Sequence, residues 1–314
     1  MIKVVFFGTP QIAVKSLEAL CAAENFEVQA VVTQQDKPSG RGHKLTSPPI
    51  KITAENLGIK VFQPKSIRKQ PEIIQELKNL KPDFFVTFAF GQILSQDVLD
   101  IPKFGTVNLH ASLLPAYRGA NPIQRCIYNG DKITGITTML TVLALDAGDI
   151  CYSKKINITP DMMDVDLAEI ISDMAPELIQ KTLTDLFSGN VVPKKQDESA
   201  VTFADKFVKN DGLIDFGKNA EQIVNQVRAM YSWPNAFTYY KGKLIKVMKA
   251  SCITGEDKDI KPGMVTSVSK NGIGVQTSSG MVVLNDVKPE GKGVMPASAW
   301  ANGSGIKVGD FFGE

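Results

Sequence analysis

Over its first 190 residues the chain alternates short apolar runs with segments of helical periodicity, and this leaves few folds open. Ile2–Phe7 and Phe84–Phe90 are apolar at nearly every position, as strands covered on both faces require; a strand with one wet face would alternate. Glu27–Val32, Val61–Phe62, Gly105–His110, Gly135–Val142 and Ile150–Ile156 read as further strands. Thr9 is expected to cap a helix starting at Pro10, with Ala13, Leu17, Leu20 and Cys21 on its buried face. Ser47-Pro48 opens a second helix, carrying Ile50, Ala54 and Leu57 on one stripe and stopping at Gly58. Pro71–Leu80 gives a third, and Leu167, Ile170, Ile171, Met174, Leu178 and Leu186 mark a long one. The expectation is an α/β fold, a Rossmann-like, mostly parallel open sheet with helices on both faces.

The pattern changes after residue 189. Polarity sets in, periodicity is lost, and 190–206 reads as a linker between an α/β domain over 1–189 and a second domain over 207–314. That second part begins with the helix Asn219–Met230, apolar at Ala220, Ile223, Val224 and Val227. Short strands follow at Ala236–Tyr240, Lys243–Lys249, Gly263–Val268, Gly272–Thr277 and Met281–Leu284, with hairpin turns at Asn271-Gly272 and Ser279-Gly280. A small OB-like β-barrel is expected.

Composition narrows the chemistry. At 43% hydrophobic and 22% charged residues the chain is an ordinary globular one. No apolar run approaches the roughly 18 residues of a membrane span, and the opening MIKVVFFGTP is a strand rather than a leader, so a cytoplasmic, membrane-free protein is expected. The two histidines, His43 and His110, and the four cysteines, Cys21, Cys126, Cys151 and Cys252, lie too far apart in sequence for a zinc site, so no metal is expected. No heptads demand assembly, which makes a monomer the expectation. Residues 207–314 carry 13 lysines and arginines against 10 acids, net +3, whereas 1–206 is net −1, a mild asymmetry compatible with a polyanionic partner at the C-terminal end.

The first strand ends in Gly8-Thr9-Pro10, which has one glycine where a dinucleotide fingerprint needs three, and Pro10 removes an amide that would cradle phosphate. A dehydrogenase is disfavoured there. The segment Val107–Gly119 is more informative, because it starts at the carboxyl end of a strand, where open α/β sheets bind ligands. Asn108 and His110 are two apart on that strand and so project to one side. An amide and an imidazole held together suit the oxyanion and proton transfers of an acyl transfer. Asp146, in the turn Leu145-Asp146-Ala147-Gly148-Asp149, could stand beside the imidazole as a carboxylate partner. Taken singly, a lone histidine such as His110 more often satisfies a strand end, and Asp146 could equally serve its own turn.

The sequence Asn108-Leu109-His110-Ala111-Ser112-Leu113-Leu114-Pro115-Ala116-Tyr117-Arg118-Gly119, with Leu145–Asp149, resembles the folate-dependent formyltransferase family. Phe7–Pro10, Thr33–Gly42, Ala120–Arg125 and Tyr231–Phe237 extend the resemblance along nearly the whole chain, toward the members that act on tRNA. The resemblance implies 10-formyltetrahydrofolate as donor and the α-amine of methionyl initiator tRNA as acceptor. It implies Asn108, His110 and Asp146 as catalytic residues, and Ser112, Leu113, Leu114 and Pro115 as folate contacts, with Phe90–Leu94 walling the pterin. It also makes Arg41, flanked by Gly40 and Gly42, the RNA-entering residue of the first domain. Lys241, Lys243, Lys246 and Lys249 alternate with Tyr239, Tyr240, Ile245 and Val247 and could join a backbone-contacting patch or serve as edge charges. A formylfolate hydrolase, an amino-sugar formyltransferase and a non-catalytic RNA-binding module are the competing readings.

Overall fold

A computed structural model describes residues 1–39, 44–255 and 260–313. The chain divides into two compact units: 1–119, 133–157 and 168–204 form the first, and 120–132, 158–167 and 205–314 the second.

The first unit is built on a seven-stranded sheet: β1 Ile2–Gly8, β2 Phe26–Val32, β3 Val61–Phe62, β4 Phe84–Phe88, β5 Thr106–His110, β6 Ile133–Leu140 and β7 Ile150–Asn157. In space the order is β7-β6-β5-β4-β1-β2-β3. β3, β2, β1, β4 and β5 run parallel; β6 pairs antiparallel with β5, and β7 antiparallel with β6. The strand order reverses between β1 and β4, so ligands are expected at the carboxyl ends of these strands and of β5. Val4, Val5, Phe6, Phe7, Phe84, Phe85 and Val86 are fully buried, which explains the unbroken apolar runs. Val5, Phe7, Phe85, Phe90, Leu77 and Val98 belong to one apolar cluster on this sheet.

The helix after β1 starts later than expected. Gln11–Ala13 is a 3-10 turn and the α-helix runs Val14–Ala22, with no side-chain cap on either. Thr9 is occupied elsewhere: its hydroxyl donates to the Phe90 carbonyl at 3.0 Å, tying β1 to the turn after β4.

Residues 190–204 also depart from the linker expectation. They belong to the first unit, where Lys194 exchanges two 2.8 Å backbone hydrogen bonds with Ile150 and Phe203–Ala204 pairs in parallel with Arg118–Gly119. Their lost periodicity reflects an irregular strap held by side chains, not a free connection.

The second unit carries an antiparallel sheet in the order Ala236–Tyr240, Lys243–Ile253, Met281–Pro289, Gly272–Gln276, Val265–Ser269, with Met295–Pro296 paired to Met281–Pro289. Its core gathers Ile223, Val227, Ile245, Val247, Val275, Leu284 and Trp300. The helix Ala220–Ala229 has a capping box: the Asn219 side chain accepts from the Gln222 amide, and Gln222 accepts from Asn219. No helix among the described residues is long and apolar enough to cross a membrane.

Candidate active site

β5 delivers Asn108 and His110 to the carboxyl edge of the sheet. Asn108 lies opposite Thr87 of β4, and the Thr87 hydroxyl donates to Asn108 Oδ1 at 2.7 Å. A hydroxyl proton on Oδ1 fixes which end of the amide is which. The Nδ2 hydrogens have no protein acceptor among the described residues and remain available as donors. Thr87→Val should therefore release the amide and lower turnover by about tenfold without weakening donor binding, measured as kcat against donor Kd. Wild-type turnover in Thr87→Val would mean that the orientation of Asn108 does not matter.

His110 is 5% exposed. Its Nε2 lies 2.8 Å from the Tyr117 carbonyl oxygen, and its Nδ1 lies 3.7 Å from Asp146 Oδ2. Both ring nitrogens thus face oxygens that accept, an arrangement that fixes the ring beside a carboxylate. The same Asp146 Oδ2 accepts the Gly119 backbone N–H at 2.8 Å. Asp146 occupies the left-handed region at φ +48°, which costs a non-glycine residue about 1–3 kcal/mol and persists only where its surroundings impose it. Two residues on, a Cβ on Gly148 would lie 1.5 Å from the Leu140 carbonyl oxygen, so the turn closes only with glycine there.

The segment between β5 and Gly119 wraps around this group. Ser112 is fully buried and donates to the Ala116 carbonyl at 2.6 Å, so its hydroxyl is committed to shaping the loop. Thr137 Oγ1 donates to the Ser112 carbonyl and accepts from the Leu114 N–H, pinning Ser112–Leu114 from β6. Leu114 is buried, while Leu113 fits over Gly135, where a Cβ would lie 2.5 Å from Leu113 Cδ2. In the turn after β4, Phe90 and Leu94 are packed into the core and Ile93 is 70% exposed. Val142, Leu143 and Leu145, just before Asp146, are also exposed apolar side chains. The thiol nearest Asp146 in sequence offers no nucleophile: burial pushes Cys151 up to about 12.

Arg41 falls outside the described residues. Its flanks are Lys37–Ser39 and Lys44–Thr46, paired antiparallel as a hairpin. Asp36 anchors the base: it accepts from Lys51 Nζ at 2.8 Å, Gln63 Nε2 at 2.7 Å and Ser47 Oγ at 3.1 Å. In the second unit Lys246 stands directly opposite Lys288 and next to Phe237, and its ammonium donates to Asn235 Oδ1 at 2.7 Å. Lys249 opposes Asp286 instead, so the lysines of this strand do not form one stripe. Thr87 and the strap 194–204 escape a reading of the sequence, because one threonine in an apolar strand and one glutamine in a polar tract carry no pattern.

Residues 2–183 match the model of the formyl transferase family, and residues 206–305 that of the formyl transferase C-terminal domain. The methionyl-tRNA formyltransferase of Clostridium novyi is 41% identical over 306 residues, covering 98% of this chain and 98% of its own. That of Geobacter sulfurreducens is 41% identical over 313 residues, covering 100% of this chain and 97% of its own. Among solved structures, an N-formyltransferase from Helicobacter canadensis, in complex with folinic acid and dTDP-3-aminofucose, superposes with a TM-score of 0.68 at 20% identity, covering 90% of this chain and 99% of that one. The methionyl-tRNA formyltransferase from Clostridium thermocellum superposes with a TM-score of 0.54 at 18% identity, covering 82% and 96%.

Proposed function

The chain belongs to the formyl transferase family, and we propose that it moves the formyl group of 10-formyltetrahydrofolate to the α-amine of methionyl initiator tRNA in the cytoplasm. Support for the acceptor comes from full-length relatives named methionyl-tRNA formyltransferase. Support for a folate donor comes from fold relatives solved with folinic acid or tetrahydrofolic acid. The observation that carries the chemistry is the Thr87-oriented amide of Asn108, two residues from His110 and its carboxylate partner Asp146.

In the proposed reaction the amine nitrogen attacks the formyl carbon and the formyl oxygen becomes an oxyanion. Asn108 Nδ2–H donates to that oxygen, where the new charge makes the hydrogen bond stronger than in the ground state. The proton lost by the amine has to reach the folate nitrogen as its bond to the formyl carbon breaks. His110 is the carrier: its Nε2 leaves the Tyr117 carbonyl to take the amine proton and pass it to the folate nitrogen, while Asp146, facing Nδ1, balances the imidazolium. Ser112–Pro115 contributes backbone and the Leu113 side chain to the folate pocket, and the exposed Ile93, Leu143 and Leu145 supply apolar surface for the pterin.

The second unit, over 207–314, is the proposed tRNA-binding domain, with Lys246 and Lys288 sharing a phosphate that relieves their cross-strand repulsion. Arg41 would position the acceptor end. Asp36→Asn should then raise the KM for methionyl-tRNA severalfold while leaving folate affinity unchanged, because it frees the paired segments that flank Arg41 in sequence. Lys51 above all, then Gln63 and Ser47, hold the Asp36 carboxyl below its ordinary 3.8. A depressed folded value means that the anchor is at full strength above 3.8 and lost only as pH falls through the lower value. The Asp36→Asn effect should accordingly be the same from neutral pH up to the strongly alkaline range where Lys51, held above its ordinary 10.5 by Asp36, loses its proton; an effect that vanishes at neutral pH would contradict the anchoring role.

The acceptor is tested by offering the protein 10-formyltetrahydrofolate with charged initiator tRNA, uncharged tRNA or an amino-sugar nucleotide. Formyl transfer to the charged tRNA alone is expected. Transfer to the sugar, or formate release with no acceptor, would overturn the reading in favour of one of its rivals.

A further inference from the structure

We infer that Gln196 is a positioning residue of the active site, acting through Asp146, and that the strap 194–204 exists to hold it there; this rests on the catalytic reading of Asp146. Gln196 is 9% exposed. Its Nε2 donates to two carbonyls of the catalytic turn, those of Asp146 at 2.8 Å and Gly148 at 2.7 Å. Its Oε1 accepts from Arg118 Nε at 3.0 Å and Arg118 Nη2 at 2.9 Å. Two donors on one side and two acceptors on the other leave the amide one orientation. The Arg118 guanidinium, itself 5% exposed, is balanced by Glu198, whose carboxylate takes Nη2 at 2.7 Å and Nη1 at 3.2 Å.

The chain of contacts reaches the reacting groups from both ends. Tyr117, Arg118 and Gly119 are consecutive: the carbonyl of the first takes His110, the side chain of the second takes Gln196, and the amide of the third takes the Asp146 carboxylate. Thr202 then fastens this triplet, its Oγ1 accepting the Tyr117 N–H at 2.9 Å and its carbonyl accepting the Arg118 N–H at 2.9 Å. Gly119 sits at φ +121°, and a Cβ there would lie 2.9 Å from the Ala204 carbonyl oxygen, so the strap lies directly on the triplet. Asp146 is held in the left-handed region by hydrogen bonds at both its carboxylate and its carbonyl, and Gln196 supplies the second. Gln196 touches no reacting atom; it sets where the carboxylate that faces His110 stands.

Gln196→Glu keeps the acceptor for Arg118 and the side-chain volume but removes both donors and sets a carboxylate against two carbonyls. It should lower kcat by about 10- to 100-fold at saturating donor and methionyl-tRNA, with folate Kd unchanged, the scale on which a displaced catalytic group is felt. Thr202→Val, at an exposed position that does not threaten folding, should lower kcat severalfold. The ring-nitrogen chemical shifts of His110, which are readable because the chain has two histidines, should move in both variants at a fixed pH. The discriminating step is the cycle with Asp146→Asn. If Gln196 acts through Asp146, Gln196→Glu adds no further loss of kcat in the Asp146→Asn background. An equal further loss there, or His110 shifts identical to wild type in both variants, would reduce the strap to a structural brace and overturn the inference. Wild-type kcat in Asp146→Asn alone would instead overturn the catalytic reading on which the inference rests.

Discussion

His110→Ala and Asn108→Ala are each expected to lower turnover by about 100-fold or more while folate and tRNA affinities change little. The asymmetry follows from where the two side chains act. In the proposed reaction Asn108 offers its Nδ2 hydrogens to an oxygen whose charge appears only as the amine adds, and His110 moves a proton that is in transit only during that step. Neither contributes much to the ground state, so loss should fall on kcat and not on KM. Single-turnover formylation at saturating concentrations of both substrates separates the two quantities. A variant that keeps wild-type turnover removes its residue from the reaction; one that loses only affinity makes it a binding residue.

Gly148→Ala should be nearly as damaging, although Gly148 touches nothing reactive. Its Cβ position lies 1.5 Å from the Leu140 carbonyl oxygen and 2.7 Å from the Leu140 carbonyl carbon, both backbone atoms at the end of β6. No rotamer change relieves such a clash, so the turn must open. Opening it breaks the 2.7 Å contact from Gln196 Nε2 to the Gly148 carbonyl and carries Asp146 away from His110. Turnover should fall about 100-fold. The thermal midpoint should drop as well, since the buried Gly148 carbonyl has lost its hydrogen bond. A Gly148→Ala protein with wild-type turnover would show that the position of Asp146 is not critical.

Much of the fold was legible because strand burial leaves a plain trace. Phe84, Phe85 and Val86 can be consecutive only where both faces of a strand are covered, and the sheet puts them there. The pairing of Asn108 with His110 was legible for the same elementary reason, the two-residue period of a strand. The carboxylate partner Asp146 was legible only as one of two open readings of a turn and through the family resemblance, since no local pattern fixes where the turn after β6 goes; topology brings it beside His110. Thr9 misled because its hydroxyl has a long-range acceptor, the Phe90 carbonyl, that competes with a capping role. The strap misled because its bonds are made by isolated polar side chains, Gln196, Glu198 and Thr202, in a tract whose polarity also fits a free linker.

In the proposed function one site, built from Asn108, His110 and Asp146, passes a formyl group from a folate to the amine of methionyl-tRNA. That function is tested most directly by following an isotopically labelled formyl group through a single turnover with wild-type protein and the three single variants Asn108→Ala, His110→Ala and Asp146→Asn. The label should appear as N-formylmethionine on the tRNA with wild type and remain on the folate with each variant, while all four proteins still bind the folate. Label released as formate by wild type, or formylmethionine formed at the wild-type rate by any of the three variants, would contradict it.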